Sequence, residues 1–337
     1  MRTHAARVWV FAALAVVAVG ATAWYTAAAW RRAARQADAS SSVAGPPALG
    51  EPPARPYLMV RSTASDATWR RLVLVPMATP GGPGFVTSLA CERAYFAGDR
   101  GICLVEASEG LTTRYYADVF DASFARLHRI PLTGVPSRTR VSPNGRRAAI
   151  TVFETGHSYA ETGFSTRTTI VDTVAGTTLT DLESFDVLRD GAPFRAVDFN
   201  FWGVTFAQDS NRFFATLASA GVKHLVEGDV DTRRARVVRA GIECPSLSPD
   251  NTRIAYKHML RADGFWQLRV YDLRTGTETS LALEERSVDD QVEWADNERL
   301  LYHITGERGA DIWSLRADGT AAPTLVRSYA YAPASVR

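Results

Sequence analysis

Lysine is almost absent from this chain: Lys223 and Lys257 are the only two, and arginine supplies the remaining positive charge. The net charge is only +2, so neither a nucleic-acid groove nor a polyanion trap is expected. From Tyr57 onward there are no amphipathic windows of helical period, which excludes helical repeats. The catalytic signatures are missing as well: no His-Glu-x-x-His, no Gly-rich phosphate loop, no Ser-x-x-Lys and no metal-spaced cysteine pair. Gly156-His157-Ser158-Tyr159-Ala160 lacks the last glycine of a nucleophile elbow. His128, His157, His224, His258 and His303 show no ligand spacing. These absences lead us to expect no catalytic residue, no metal and no cofactor.

What recurs instead is a turn between two strands. It reads Ser248-Pro249-Asp250-Asn251-Thr252-Arg253-Ile254-Ala255-Tyr256 in its fullest copy. Residues 142–150, 207–215 and 294–302 are further copies, with weaker ones near Ala97 and Ala332. Proline pre-sets φ at a turn position, Asp or Asn bonds its own backbone, and the apolar run that follows returns as a strand. Taking Ala97, Ser142, Ala207, Ser248, Ala295 and Ala332 as equivalent, the intervals are 45, 65, 41, 47 and 37 residues. Periods in that range with alternating segments signal propeller blades. A second hairpin follows each copy, turning at Ala175-Gly176, Asp231-Thr232-Arg233, Arg274-Thr275-Gly276 and Ala317-Asp318-Gly319. One unit is therefore four strands. Six units of roughly 45 residues fit residues 57–337, which we expect to form a six-bladed all-β propeller. Tyr57–Arg61 resembles a second strand lacking its first, and residues 328–334 a first strand lacking its successors. Paired, they close the ring and leave no open sheet edge.

Val8 to Trp30 is 23 uncharged residues between Arg7 and Arg31, long enough to cross a bilayer as a helix. Residues 1–32 are expected to be a membrane anchor or, with Ala21-Thr22-Ala23 or Ala27-Ala28-Ala29 as cleavage sites, a signal segment. Residues 33–56, with three consecutive serines and five prolines, have the composition of a flexible linker. Arg31, Arg32 and Arg35 give no clear charge vote for export.

The Ser-Pro-Asp-x-x-Arg-Ile-Ala-Tyr pattern resembles the TolB-like propeller repeat, most closely at 142–150 and 248–256, over roughly residues 85–330. Segments 199–206 and 287–294 look like those of actinobacterial membrane-anchored or exported TolB-like proteins of unassigned function. The resemblance implies a propeller on the extracytoplasmic side of a bacterial cytoplasmic membrane. TolB is a periplasmic partner of an envelope lipoprotein, and related propellers gate peptidases. Neither role carries over here residue by residue.

Cys91 and Cys103 flank the hairpin Tyr95–Gly101, close enough to form a disulfide in an exported protein. The alternative is two buried thiols. Glu92, Ser137, Trp202, Glu243, Asp290 and Arg327 each stand five residues ahead of a repeat, with Asp198 and Asp289 nearby. They are expected to ring one mouth of the central channel. Glu92, Asp198, Glu243, Asp289 and Asp290 would there bind a cationic group, with Trp202 as the aromatic contact. Alternatively, these acids are caps and ion pairs to Arg93, Arg138 and Arg140. The reading reached is a monomeric, membrane-tethered, non-enzymatic propeller that binds a protein, peptide or cell-envelope ligand. The rival is a hydrolase or lyase using paired carboxylates at the channel mouth.

Overall fold

The computed structural model describes Gly20, Thr22 and residues 50–109, 112–154, 165–261 and 264–337. Ala48–Ala64 and Thr68–Arg337 form one compact unit, and it alone is described below. Apart from Gly20 and Thr22, the expected anchor or signal segment lies outside the described residues, as does most of the linker; among the described residues no helix is long and apolar enough to cross a membrane.

The unit is a ring of six sheets, antiparallel throughout except for one parallel pair in blade 4. Blade 1 takes its innermost strand, Ala330–Val336, from the C-terminal end and continues through Tyr57–Ser62, Arg71–Pro76 and Phe85–Ala90. Leu58 pairs with Ser335 and Arg61 with Tyr331, so the two incomplete ends make one blade. Blade 2 runs through Arg93–Ala97, Arg100–Glu109, Thr112–Asp121 and Arg126–Leu132. Blade 3 comprises Val135–Val141, Arg147–Phe153, Thr166–Asp172 and Thr177–Asp181. Blade 5 runs from Glu243–Leu247 to Glu278–Ser280, and blade 6 from Glu293–Trp294 to Thr324–Arg327.

Blade 4 explains the longest repeat interval. Beyond Asn200–Phe206, Arg212–Ser219, Val222–Asp229 and Arg234–Ala240 it carries an added hairpin, Asp186–Arg189 and Ala192–Phe194. Asp186–Arg189 pairs in parallel with the outer strand, and the hairpin then presents a three-residue edge containing Pro193. A short edge strand with a proline resists further pairing.

The repeat works as its chemistry requires. Asp250 Oδ1 accepts from the Thr252 N–H at 3.1 Å, and Ser248 Oγ accepts from the Arg253 N–H at 3.0 Å. Asp209 and Asp296 accept in the same way from Asn211 and Arg212, and from Glu298 and Arg299. The left-handed turn position is occupied by Gly145 (φ 74°), Ser210 (φ 62°) and Asn251 (φ 59°). The turns also latch onto one another. Asn144 N–H donates to Ser210 Oγ, Gln208 N–H to Asn251 Oδ1 and Asp250 N–H to Asn297 Oδ1. Arg253 reaches the Asn297 carbonyl and Arg147 the Asn211 side chain, so these two repeat arginines bridge to the next blade, whereas Arg212 and Arg299 pair within their own, with Glu227 and Asp296.

The core lies between blades. Leu268 and Val270 of blade 5 pack with Trp294, Leu300 and Tyr302 of blade 6, while Met59 and Leu74 of blade 1 meet Phe96 and Phe120 of blade 2. Glycine makes room where a ring lies flat on a strand: a Cβ at Gly101 would stand 2.1 Å from the Phe120 ring, and one at Gly228 2.2 Å from Phe213.

Candidate functional site

The innermost strands all run in the same direction along the channel, so their starts define one mouth and their ends the other. Alternation along a strand turns Arg138 and Arg140 to the same side, both buried. They face acids that reach the axis from blade 6. Asp290, just ahead of Glu293–Trp294, pairs with Arg93 at 2.8 Å, with Arg138, and with His303 Nδ1 at 3.3 Å. Arg93 also donates to the Tyr331 hydroxyl. Burial, then the neighbouring Arg93 and Arg138, push the His303 imidazole well below its ordinary pKa, so it is neutral here.

Beside this cluster Lys257, 3% exposed, pairs with Glu243 at 3.1 Å and with Asp289. Burial opposes its charge, but the Glu243 and Asp289 carboxylates beside it outweigh that and raise the ammonium pKa. Lys223 also reaches Glu243, at 3.5 Å, so both lysines of the chain converge on one carboxylate. Gln291 spans the axis, with its amide donating to the carbonyls of Gly203, Val204 and Pro245.

Further along the channel Arg140 pairs with Glu293 and donates to the Val292 carbonyl at 2.7 Å. The Tyr95 hydroxyl donates to Glu293 at 3.2 Å, and the Ser335 N–H donates to it at 3.1 Å. Burial and the Glu293 charge push the Tyr95 pKa up to about 12. Beyond this layer, at the mouth where the innermost strands end, a cavity of about 250 Å³ opens.

The residues singled out in the sequence separate into groups. Asp290 and Glu243 converge on the axis, where each is buried against internal cations. Asp289 sits above them with its side chain 57% exposed. Glu92 pairs with Arg70 at 2.9 Å and Arg61 at 3.5 Å on the rim. Asp198 lies apart, accepting from Ser219 Oγ and the Ala220 N–H to cap a blade 4 hairpin. Trp202 is fully buried and offers no surface to a ligand. Arg327 lies in the outermost strand of blade 6, donating to the Pro80 and Gly82 carbonyls. The closing strand ends at Val336, which moves the position equivalent to Ala295 from Ala332 to Arg337. Cys91 and Cys103 are joined by a disulfide, and Cys244 is buried as a free thiol.

Lys257, His303, Tyr331 and the Arg140–Glu293 pair were not singled out from the sequence. The legible signals were Arg138-Thr139-Arg140, with two arginines at strand period, and a lysine directly after the apolar run Ile254-Ala255-Tyr256 in a chain nearly devoid of lysine. Among the described residues no group of three His, Cys, Asp or Glu side chains is placed to hold a metal ion.

No protein-family model matches the chain, and no curated protein matches it. Solved structures do. The chain resembles TolB from Acinetobacter baumannii with a TM-score of 0.60 at 14% identity, covering 83% of this chain and 66% of that one. It thus spans just under two thirds of that structure's length. A chain of a nidogen/laminin complex matches with a TM-score of 0.53 at 10% identity, over 83% of this chain and 97% of the other. A TolB-like structure from Agrobacterium tumefaciens matches at 0.49 and 12% identity, over 81% and 88%. At 14% identity the likeness to the Acinetobacter baumannii structure shows the fold alone: a TolB-like six-bladed β-propeller.

Proposed function

We propose that this protein is a non-enzymatic binding propeller, held at the cytoplasmic membrane by its N-terminal segment with the propeller on the extracytoplasmic side. It docks a protein, a peptide or envelope material on the face where the innermost strands begin. The observation that carries the reading is the distribution of exposed apolar side chains. Trp69, Val197, Met259, Leu260, Leu283 and Tyr329 are all exposed, and all lie in or beside connections on that one face. Apolar side chains gathered on one face of a soluble domain mark an interaction surface. Glu92 and Asp289 stay partly exposed at its rim, paired with Arg70 and Lys257. An enzyme working through paired carboxylates would first need Asp290 and Glu243 released from Arg138 and Lys257. The docking reading needs no such rearrangement.

Capture from the native membrane fraction tests this when two variants accompany the wild-type propeller. W69E/M259E/L260E alters the proposed face; L127E/L179E/L325E alters exposed apolar positions on outer strands. The same partner retained by the wild type and the outer-strand variant, and lost by the face variant, is the expected result. Equal retention by all three refutes the assignment of the face.

A further inference from the structure

Of the 38 lysines and arginines in the chain only two are lysine, and both reach Glu243: Lys257 at 3.1 Å and Lys223 at 3.5 Å. Arginine supplies the cation of the other axial pairs, with Asp290 and Glu293. An ion pair alone therefore gives no reason for lysine at this one carboxylate. What separates the two side chains is chemical: a neutral amine is a nucleophile, whereas a guanidinium stays protonated at any working pH.

Lys257 has the surroundings such chemistry needs. Its side chain is 3% exposed, and the Trp266 ring lies 4.0 Å from Nζ. Nζ is in direct contact with Asp289 Oδ1, so the carboxyl carbon of Asp289 stands one bond beyond the atom it touches. Glu243 Oε1 is 3.1 Å from the same nitrogen, within reach for proton transfer. The backbone fixes all three groups. Glu243 faces Lys257 across the paired strands of blade 5, and Gln291 pins the segment carrying Asp289 to the carbonyls of Gly203, Val204 and Pro245. An amine and a carboxyl held in this way react as one molecule, with effective concentrations of about 10⁵–10⁸ M in the best-oriented cases. That offsets the ordinary preference for hydrolysis in water. The carboxylates that raise the Lys257 pKa are also where its protons go. Transfer within the pair leaves the net charge unchanged, and burial of Nζ favours the neutral amine. The exposed side of Asp289 gives the released water a way out.

We propose that Lys257 and Asp289 condense to an intramolecular isopeptide bond, with Glu243 as the proton carrier. One ammonium proton passes to the Asp289 carboxylate. Nζ then attacks the carboxyl carbon while Glu243 takes a second proton and returns it to the departing hydroxyl. A C–N bond forms, a C–O bond breaks and one water leaves; Glu243 ends as it began, and no redox partner is involved. The link ties strand Arg253–Arg261 of blade 5 to the segment that crosses the axis, joining residues 32 apart. Mass spectrometry of the purified protein after incubation at neutral pH tests this. The wild type should be lighter by one water than its sequence and disulfide require. Trypsin should release Ile254–Arg261, uncut after Lys257, joined to Ser287–Arg299. K257R and D289A should show no such loss, and E243Q should link at least about tenfold more slowly. D289N keeps an acyl group from which ammonia leaves, so it should be lighter by one ammonia. Full mass in the wild type, a water loss that persists in K257R, or undiminished linking in E243Q overturns the proposal.

Discussion

Replacing Asp290 with asparagine isolates what the axial charges do. Asp290 is 4% exposed and takes Arg93 at 2.8 Å, Arg138 in direct contact and the neutral His303 at 3.3 Å. D290N keeps the shape and deletes the charge, leaving two guanidiniums facing each other in a closed channel. The side chains of Arg138 and Arg93 are only 7% and 17% exposed, so water cannot take over the role of the carboxylate. Breaking a buried pair by removing one partner costs about 3–5 kcal/mol, chiefly because an uncompensated charge stays behind. The amide oxygen still accepts one hydrogen bond, which places D290N near ~3 kcal/mol. For a unit of this size that lowers the melting temperature by roughly 6–12 °C. D289N is the control. Its side chain is 57% exposed, and Lys257 keeps Glu243 at 3.1 Å, so the loss should stay under about 1 kcal/mol. Urea unfolding and calorimetry of both variants give the comparison. A D290N loss below about 1 kcal/mol, or any gain, would refute the ion-pair account, because acids kept for an external cation repel one another until it binds.

Three further outcomes are expected. Burial pushes the Glu183 carboxyl up to about 8 from 4.5, although the Thr168 and Phe201 N–H groups donate to it. Between those values the native state holds a proton that the unfolded chain has released. Stability from this group is therefore present at low pH and lost as pH rises through the window. The effect is on the order of 2 kcal/mol after allowing for its partly exposed edge, and the melting curve of E183Q across pH 4–9 should lack it. D250A removes the acceptor for the Thr252 N–H and the Ser248 and Thr252 hydroxyls. Urea unfolding should show a loss of about 1 kcal/mol while capture of any partner on the docking face is unchanged. C91A/C103A opens a bridge between residues 12 apart and should lower stability by about 3 kcal/mol; unfolded, unreduced wild type should bind one equivalent of maleimide, at Cys244.

The fold was legible because its information is local and repeated. Pro249-Asp250, Asp209 and Asp296 each form their turn with atoms a few residues away, and copies of the turn at similar spacing announce blades. The two incomplete ends of the chain implied ring closure by the same reasoning, and Ala330–Val336 does pair with Tyr57–Ser62. The terminal repeat was misaligned because Tyr331-Ala332-Pro333 carries the proline of the motif inside a strand, without its turn.

The axial cluster was legible only in part. Position relative to the repeat brought out Glu243 and Asp290, since equivalent strand starts must converge on the channel. It also selected Asp198, which caps a hairpin, and Trp202, which is buried, because sequence spacing does not say which way a side chain turns at the end of a strand. By itself the sequence determined the blade: hydrogen bonds within a turn and the period-two pattern of a strand act over a few residues and need no distant partner. Tertiary structure alone decided which charges meet. Arg138 lies more than 150 residues from Asp290 in the chain. Their pairing and the closed axis exist only once six sheets close on one another.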